Sequence, residues 1–117
     1  MALDKATFLK PRPRQIVLID CGLEQPARLR ALLESERIEF DVWIKNSKGE
    51  ISDAKMKKSR LKLIAMCMVD DDGELILDEA DFVELMDLPA SVTAKLAKAC
   101  MTLCGLNDDD LDEAVKN

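Results

Sequence analysis

The sequence predicts an α+β domain, with a little β structure near the N-terminus and a mainly α-helical remainder of about four to five helices. Two observations predict it. Residues 15–21 (QIVLIDC) form a compact β-branched run closed by Gly22, the pattern of a short strand entering a turn. From Ser52 onward, apolar residues recur at helical spacing between residues suited to capping helix ends. A chain of 117 residues forms one modest core and leaves little room for an enclosed active site.

In chain order, residues 1–13 read as a flexible arm, because Pro11 and Pro13 prevent a regular helix there. Residues 14–117 then form a single domain. After the strand at 15–21 and a turn through Pro26, residues 27–32 (ARLRAL) suit either a returning hairpin strand or a helix. Residues 37–45 carry two signals. Ile38, Phe40, Val42 and Ile44 alternate with Glu39, Asp41, Trp43 and Lys45, a period-two pattern that predicts a strand. Leu33, Phe40 and Ile44 also fit a helical stripe. Periodicity alone favours the strand, with Trp43 opposite Phe40 and Val42.

Residues 46–50 (NSKGE) are a polar turn. Ser52 offers a capping hydroxyl and Asp53 suits the positive end of a helix. That helix runs through Ala54, Leu61, Ile64, Ala65 and Met68, with Lys55, Lys57, Lys58, Arg60 and Lys62 on a basic solvent-facing side. An acidic turn follows at Asp70–Gly73. Asp78 caps a short helix over 79–86, and Pro89 suits the first turn of the next. Val92, Leu96, Ala99, Cys100 and Leu103 form the apolar stripe of that helix, and Gly105 stops it. Asn107 and three aspartates begin a last helix over 108–116.

Composition narrows the function. The chain contains no histidine, which removes the commonest general base and the commonest metal ligand. No nucleophile elbow, phosphate-binding loop or dinucleotide fingerprint occurs, and the four glycines are isolated. These absences predict a protein that is not an enzyme, with no catalytic residues and no cofactor. No 18-residue apolar run is present, and MALDKATFLK lacks the apolar stretch of a secretion signal, so no membrane association is expected. Cys21, Cys67, Cys100 and Cys104 lie in apolar segments without CxxC spacing and read as reduced core thiols. Residues 1–60 hold 13 Lys/Arg against 9 Asp/Glu, while 61–117 hold 4 against 14. The net charge of −6 argues against nucleic acid as a ligand. Its asymmetry leaves room for self-association or for a partner steered by opposite charge.

The one metal motif to weigh is a calcium loop. With Gly73 at the sixth position, Asp70, Asp72 and Glu79 fall at the third, fifth and twelfth. Met68 then falls at the first, where a carboxylate oxygen is needed, and a thioether is too soft to replace it. The competing reading is a structural turn whose aspartates cap backbone groups, and no metal site is predicted. Scarce aromatics leave Leu, Ile, Val, Ala and Met to fill the core, or to offer an adaptable apolar surface. Trp43, Met66, Met68 and Met86 are the candidate partner-binding residues on the second view, while ordinary core packing is the alternative for each.

The order of segments is similar to that of the tail assembly chaperones of tailed bacteriophages and prophages. The matching residues are Ala27-Arg28-Leu29-Arg30, Leu32 with Glu36-Arg37, Val69-Asp70-Asp71-Asp72-Gly73, Leu75 with Leu77, Asp81, Leu85, Leu88-Pro89, Val92, Leu96 and Gly105-Leu106-Asn107. These motifs are short and spread over about residues 14–117. The family often ends its last motif in Asn-Gly, where this chain has Gly-Leu-Asn. The resemblance implies a small N-terminal β-hairpin, and it makes residues 34–46 a helix, against the alternation. It also implies a function: binding the very long, helix-rich tape measure protein, keeping it soluble and helping recruit tail tube subunits. Such proteins work in the host cytoplasm and are absent from the finished virion. They are typically made in two lengths through a ribosomal frameshift, and Val115-Lys116-Asn117 is compatible with codons carrying a slippery adenine run.

Overall fold

The computed structural model describes residues 1–106, and the expected helix over 108–116 lies outside them. The α+β class holds, with a three-stranded antiparallel sheet and a helical remainder. Strands β1 (Ile16–Ile19) and β2 (Ala27–Arg30) form the hairpin, with Val17 opposite Leu29 and Leu18 opposite Arg28. The loop between them turns at Gly22, whose φ of +86° lies in the left-handed region. Residues 27–32, open between strand and helix on propensity, are thus a strand at 27–30. Leu29 explains the choice: at 0% exposure it plugs the core from the sheet's inner face.

The period-two reading of residues 37–45 is overturned. Helix α2 (Glu34–Trp43) occupies this stretch. Its buried face is set by Phe40 and Ile44, with Trp43 half-buried, while Ile38 and Val42 remain exposed. Spacings of three and four residues therefore carry the burial, and half of the alternating apolar set faces water. Glu36 fixes the start: its Oε1 accepts from the Leu33 N–H at 2.9 Å, the carboxylate half of a capping box. The same carboxylate receives Arg14 at 3.0 Å and Arg30 at 3.1 Å, fastening the helix to the hairpin and to the exit of the arm.

The arm is not uniformly loose. Helix α1 (Lys5–Phe8) is one turn, capped by Asp4 accepting from the Thr7 N–H at 2.7 Å and closed by Arg12 donating to the Thr7 and Phe8 carbonyls. Pro11 and Pro13 follow immediately. The helix expected from Ser52 to Met68 is broken in two. Ser52 caps α3 (Asp53–Met56) as predicted, its Oγ accepting from the Lys55 N–H at 3.3 Å. The chain then restarts as α4 (Ser59–Cys67), so the apolar face of Leu61, Ile64 and Ala65 is re-aimed into the core.

Helix α4 ends one residue earlier than its periodicity predicts, because Met68 and Val69 turn into strand β3, paired with Leu29 and Arg28. A 3₁₀ turn at Glu79–Asp81 leads into α5 (Phe82–Leu85), and α6 (Ala90–Leu103) closes the domain behind Pro89. Gly105 adopts φ +73°, and the Leu106 N–H donates to the Met101 carbonyl at 2.7 Å, a glycine-terminated helix stop. The stripe of α6 packs on α4 and on the sheet. Leu29, Phe40, Leu63, Ile64, Cys67, Val92, Leu96 and Cys100 form the main core, and Leu61, Ala65, Phe82 and Leu85 a second cluster.

Candidate partner-binding surface

The acidic turn is the natural starting point, and its geometry is that of a β-hairpin. Val69 bridges Leu75, the Asp70 N–H donates to the Glu74 carbonyl at 2.9 Å, and the Gly73 N–H to the Asp70 carbonyl at 3.0 Å. Gly73, at φ +84°, supplies the left-handed residue such a turn requires. Asp70 Oδ1 accepts from the Asp72 and Glu74 N–H groups at 2.8 and 3.0 Å. The reading as a turn between two helices is corrected on one side, since a strand enters it. Glu79, the twelfth residue of the calcium register, meets Lys62 at 3.3 Å instead. Among the described residues, no group of three or more Asp, Glu or Cys side chains is placed to hold a metal ion.

Between this turn and the loop of the first hairpin lies a hollow of about 650 Å³. Its apolar wall is built by Leu18 of β1, Leu23 and Pro26 of the loop, Met68 of β3, Ile76 and, at the base, Leu96 of α6. Leu18 is 60% exposed, Ile76 51% and Leu23 46%, so three large apolar side chains meet water around one concavity. The sequence places Leu18 there for a simple reason. In a strand whose Val17 and Ile19 face the core, Leu18 must face out. Glu24, Asp70 and Asp71 stand on the rim, and Arg28 lies in the wall.

A smaller hollow of about 250 Å³ is lined by Met66, Ala65, Leu75 and Leu77 together with charged residues. There Arg30 pairs with Glu36 and Lys62 with Glu79, while Glu39 and Asp78 form no ion pair among the described residues.

The four candidate partner-binding residues separate. Trp43 is half-buried, its ring 6.0 Å from Phe40 and 6.4 Å from Phe82, with the Lys55 and Lys62 ammonium groups 5.7 and 5.3 Å from its centroid. It packs against both core clusters, on the same side as Phe40 and not opposite it. Met66 is half-buried in the smaller hollow and Met68 half-buried in the larger one. Met86, 62% exposed, lies just past α5 and lines neither hollow. Only Met68 therefore belongs to the larger surface. Leu18, Leu23 and Ile76 escaped the sequence reading; the outward phase of Leu18 was the one available signal.

The thiols are core residues. Cys67 and Cys100 are buried in the main core with Cys104 packed against it, and the Leu32 N–H donates to Cys104 Sγ at 3.5 Å. The contact with Cys100, reinforced by burial, pushes the Cys67 thiol far above its ordinary value; the contact with Cys67 and burial do the same to Cys104. Thiolate nucleophiles at neutral pH are not what this cluster provides. Among the described residues, no helix is long and apolar enough to cross a membrane. No family model matches this chain, and neither does any curated protein or solved structure.

Proposed function

We propose that this chain is a non-enzymatic assembly chaperone of tailed phages or prophages, which binds the tape measure protein and helps recruit major tail tube subunits. The observation that carries the proposal is the hollow beside the acidic turn, with large apolar side chains left in water around it. A chaperone for a helix-rich client needs adaptable apolar surface on a chain charged enough to stay dissolved. Each client Leu or Met buried there contributes about 1.5–3 kcal/mol. Repeated weak sites along a long client add avidity. The resemblance in segment order supports the same role, carried out in the host cytoplasm and outside the mature virion; the net charge of −6 speaks against nucleic acid as a partner.

Co-expression tests this. The tape measure protein should move from the insoluble to the soluble fraction when this chain is present and should co-purify with it. A client left insoluble would sink the proposal. Against the calcium-responsive alternative stand Met68 at the first position of its register, Asp70 Oδ1 accepting from two N–H groups of the turn, and Glu79 paired with Lys62.

A further inference from the structure

We propose that the larger hollow is the seat for a cationic amphipathic helix, one whose apolar anchors are flanked by lysine or arginine; the proposal rests on the chaperone reading and gives its client segment a chemistry. Two observations point to it. Leu18, Leu23 and Ile76 are exposed around a concavity floored by Leu96, which is the shape that accepts anchors from one helix face. Its rim is acidic and unspent. Glu24, Asp70 and Asp71 are exposed and form no ion pair among the described residues. Asp70 lends one carboxylate oxygen to the turn, and neither Glu24 nor Asp71 makes a side-chain hydrogen bond among the described residues. Arg28 is the one cation in the wall, so the three carboxylates leave the rim net negative.

The acidic residues just beyond the lining, Asp72 and Glu74, extend the same field. An acidic or neutral helix would lose the rim contacts and gain only apolar burial. A cationic one gains both, and its encounter is steered by charge.

The test uses three fluorescent synthetic helices that share one leucine face and carry lysine, glutamine or glutamate on the other, titrated by anisotropy into the full chain. The lysine helix should bind about tenfold more tightly than the glutamine one at low salt, and the glutamate helix more weakly still, with the differences shrinking as salt rises. The double variant E24Q and D71N should remove the ranking while leaving the glutamine helix unchanged. Leu23→Asp should abolish binding of all three, with circular dichroism and melting unchanged because Leu23 is on an exposed loop. Equal binding of the three helices, or undiminished binding to Leu23→Asp, would overturn the seat. So would a concentration-dependent dimer lost in Leu23→Asp, since a second copy would then be the occupant. If these variants still solubilise the tape measure protein, the seat is wrong and the chaperone reading stands. If the unmodified chain fails to solubilise it, the chaperone reading falls on its own.

Discussion

Trp43 joins what would otherwise be two separate packing clusters. Its ring touches Phe40 of the main core and Phe82 of the second, and two lysine ammonium groups cover it. Truncation to alanine removes both contacts and leaves a void beside α4. Trp43→Ala should therefore cost about 2–4 kcal/mol in urea denaturation, with Trp43→Phe recovering a good part of it. A loss below 0.5 kcal/mol, the ordinary surface scatter, would mean that Trp43 is not a packing residue.

The thiols give a second prediction with a definite sign. Cys67 and Cys104 ionise less readily folded than unfolded, so their neutral forms contribute stability that is fully present below the ordinary thiol value of 9.0. Above it the unfolded chain loses protons that the folded chain keeps. Stability should fall as pH rises beyond about 9, and the fall should shrink in the Cys67→Ala and Cys104→Ala double variant. Reagents that alkylate thiols should meanwhile react slowly with the native chain at neutral pH and with all four cysteines after unfolding.

At the scale of elements, the acidic turn tests what its carboxylates are for. Asp70→Ala leaves the Asp72 and Glu74 N–H groups without their acceptor and should cost about 1 kcal/mol. That loss should be independent of calcium, and millimolar calcium should not raise the melting temperature of either protein. A calcium-dependent rise lost in Asp70→Ala would restore the metal reading. Glu36 makes the other element-scale prediction. Its carboxylate caps α2 and binds two half-buried arginines, so Glu36→Ala should cost about 1–3 kcal/mol.

The same elements explain what the sequence reveals. Strand β1, the cap at Ser52, the cap at Asp78 and the stop at Gly105 are legible because local backbone needs determine them, and local needs show in residue type. Helix α2 is misread by alternation because its exposed positions carry Ile38 and Val42. Apolar residues in water erase the periodicity that burial would otherwise write. Strand β3 is hidden for another reason: two residues pair with β2 only because the hairpin brings Leu29 and Arg28 alongside, a long-range event. The hollow shares that fate. Ile76 lies more than fifty residues from Leu18 and Leu23, and no spacing rule joins them. The separation of Trp43, Met66, Met68 and Met86 carries the same lesson, since helical spacing identifies a face but not what covers it.

For the molecule as a whole, charge and apolar surface are divided between regions. The arm, the hairpin and the region of α3 carry most of the cations, while residues 70–87, the acidic turn and α5 region, hold nine carboxylates and no cation. The larger hollow opens where this acidic side meets exposed apolar residues of the hairpin. The most direct measurement is the fraction of tape measure protein that is soluble and co-purifies with this chain on co-expression. The account predicts a soluble complex that forms with the unmodified chain. A client that stays insoluble, or that is soluble but elutes apart from this chain, would contradict it.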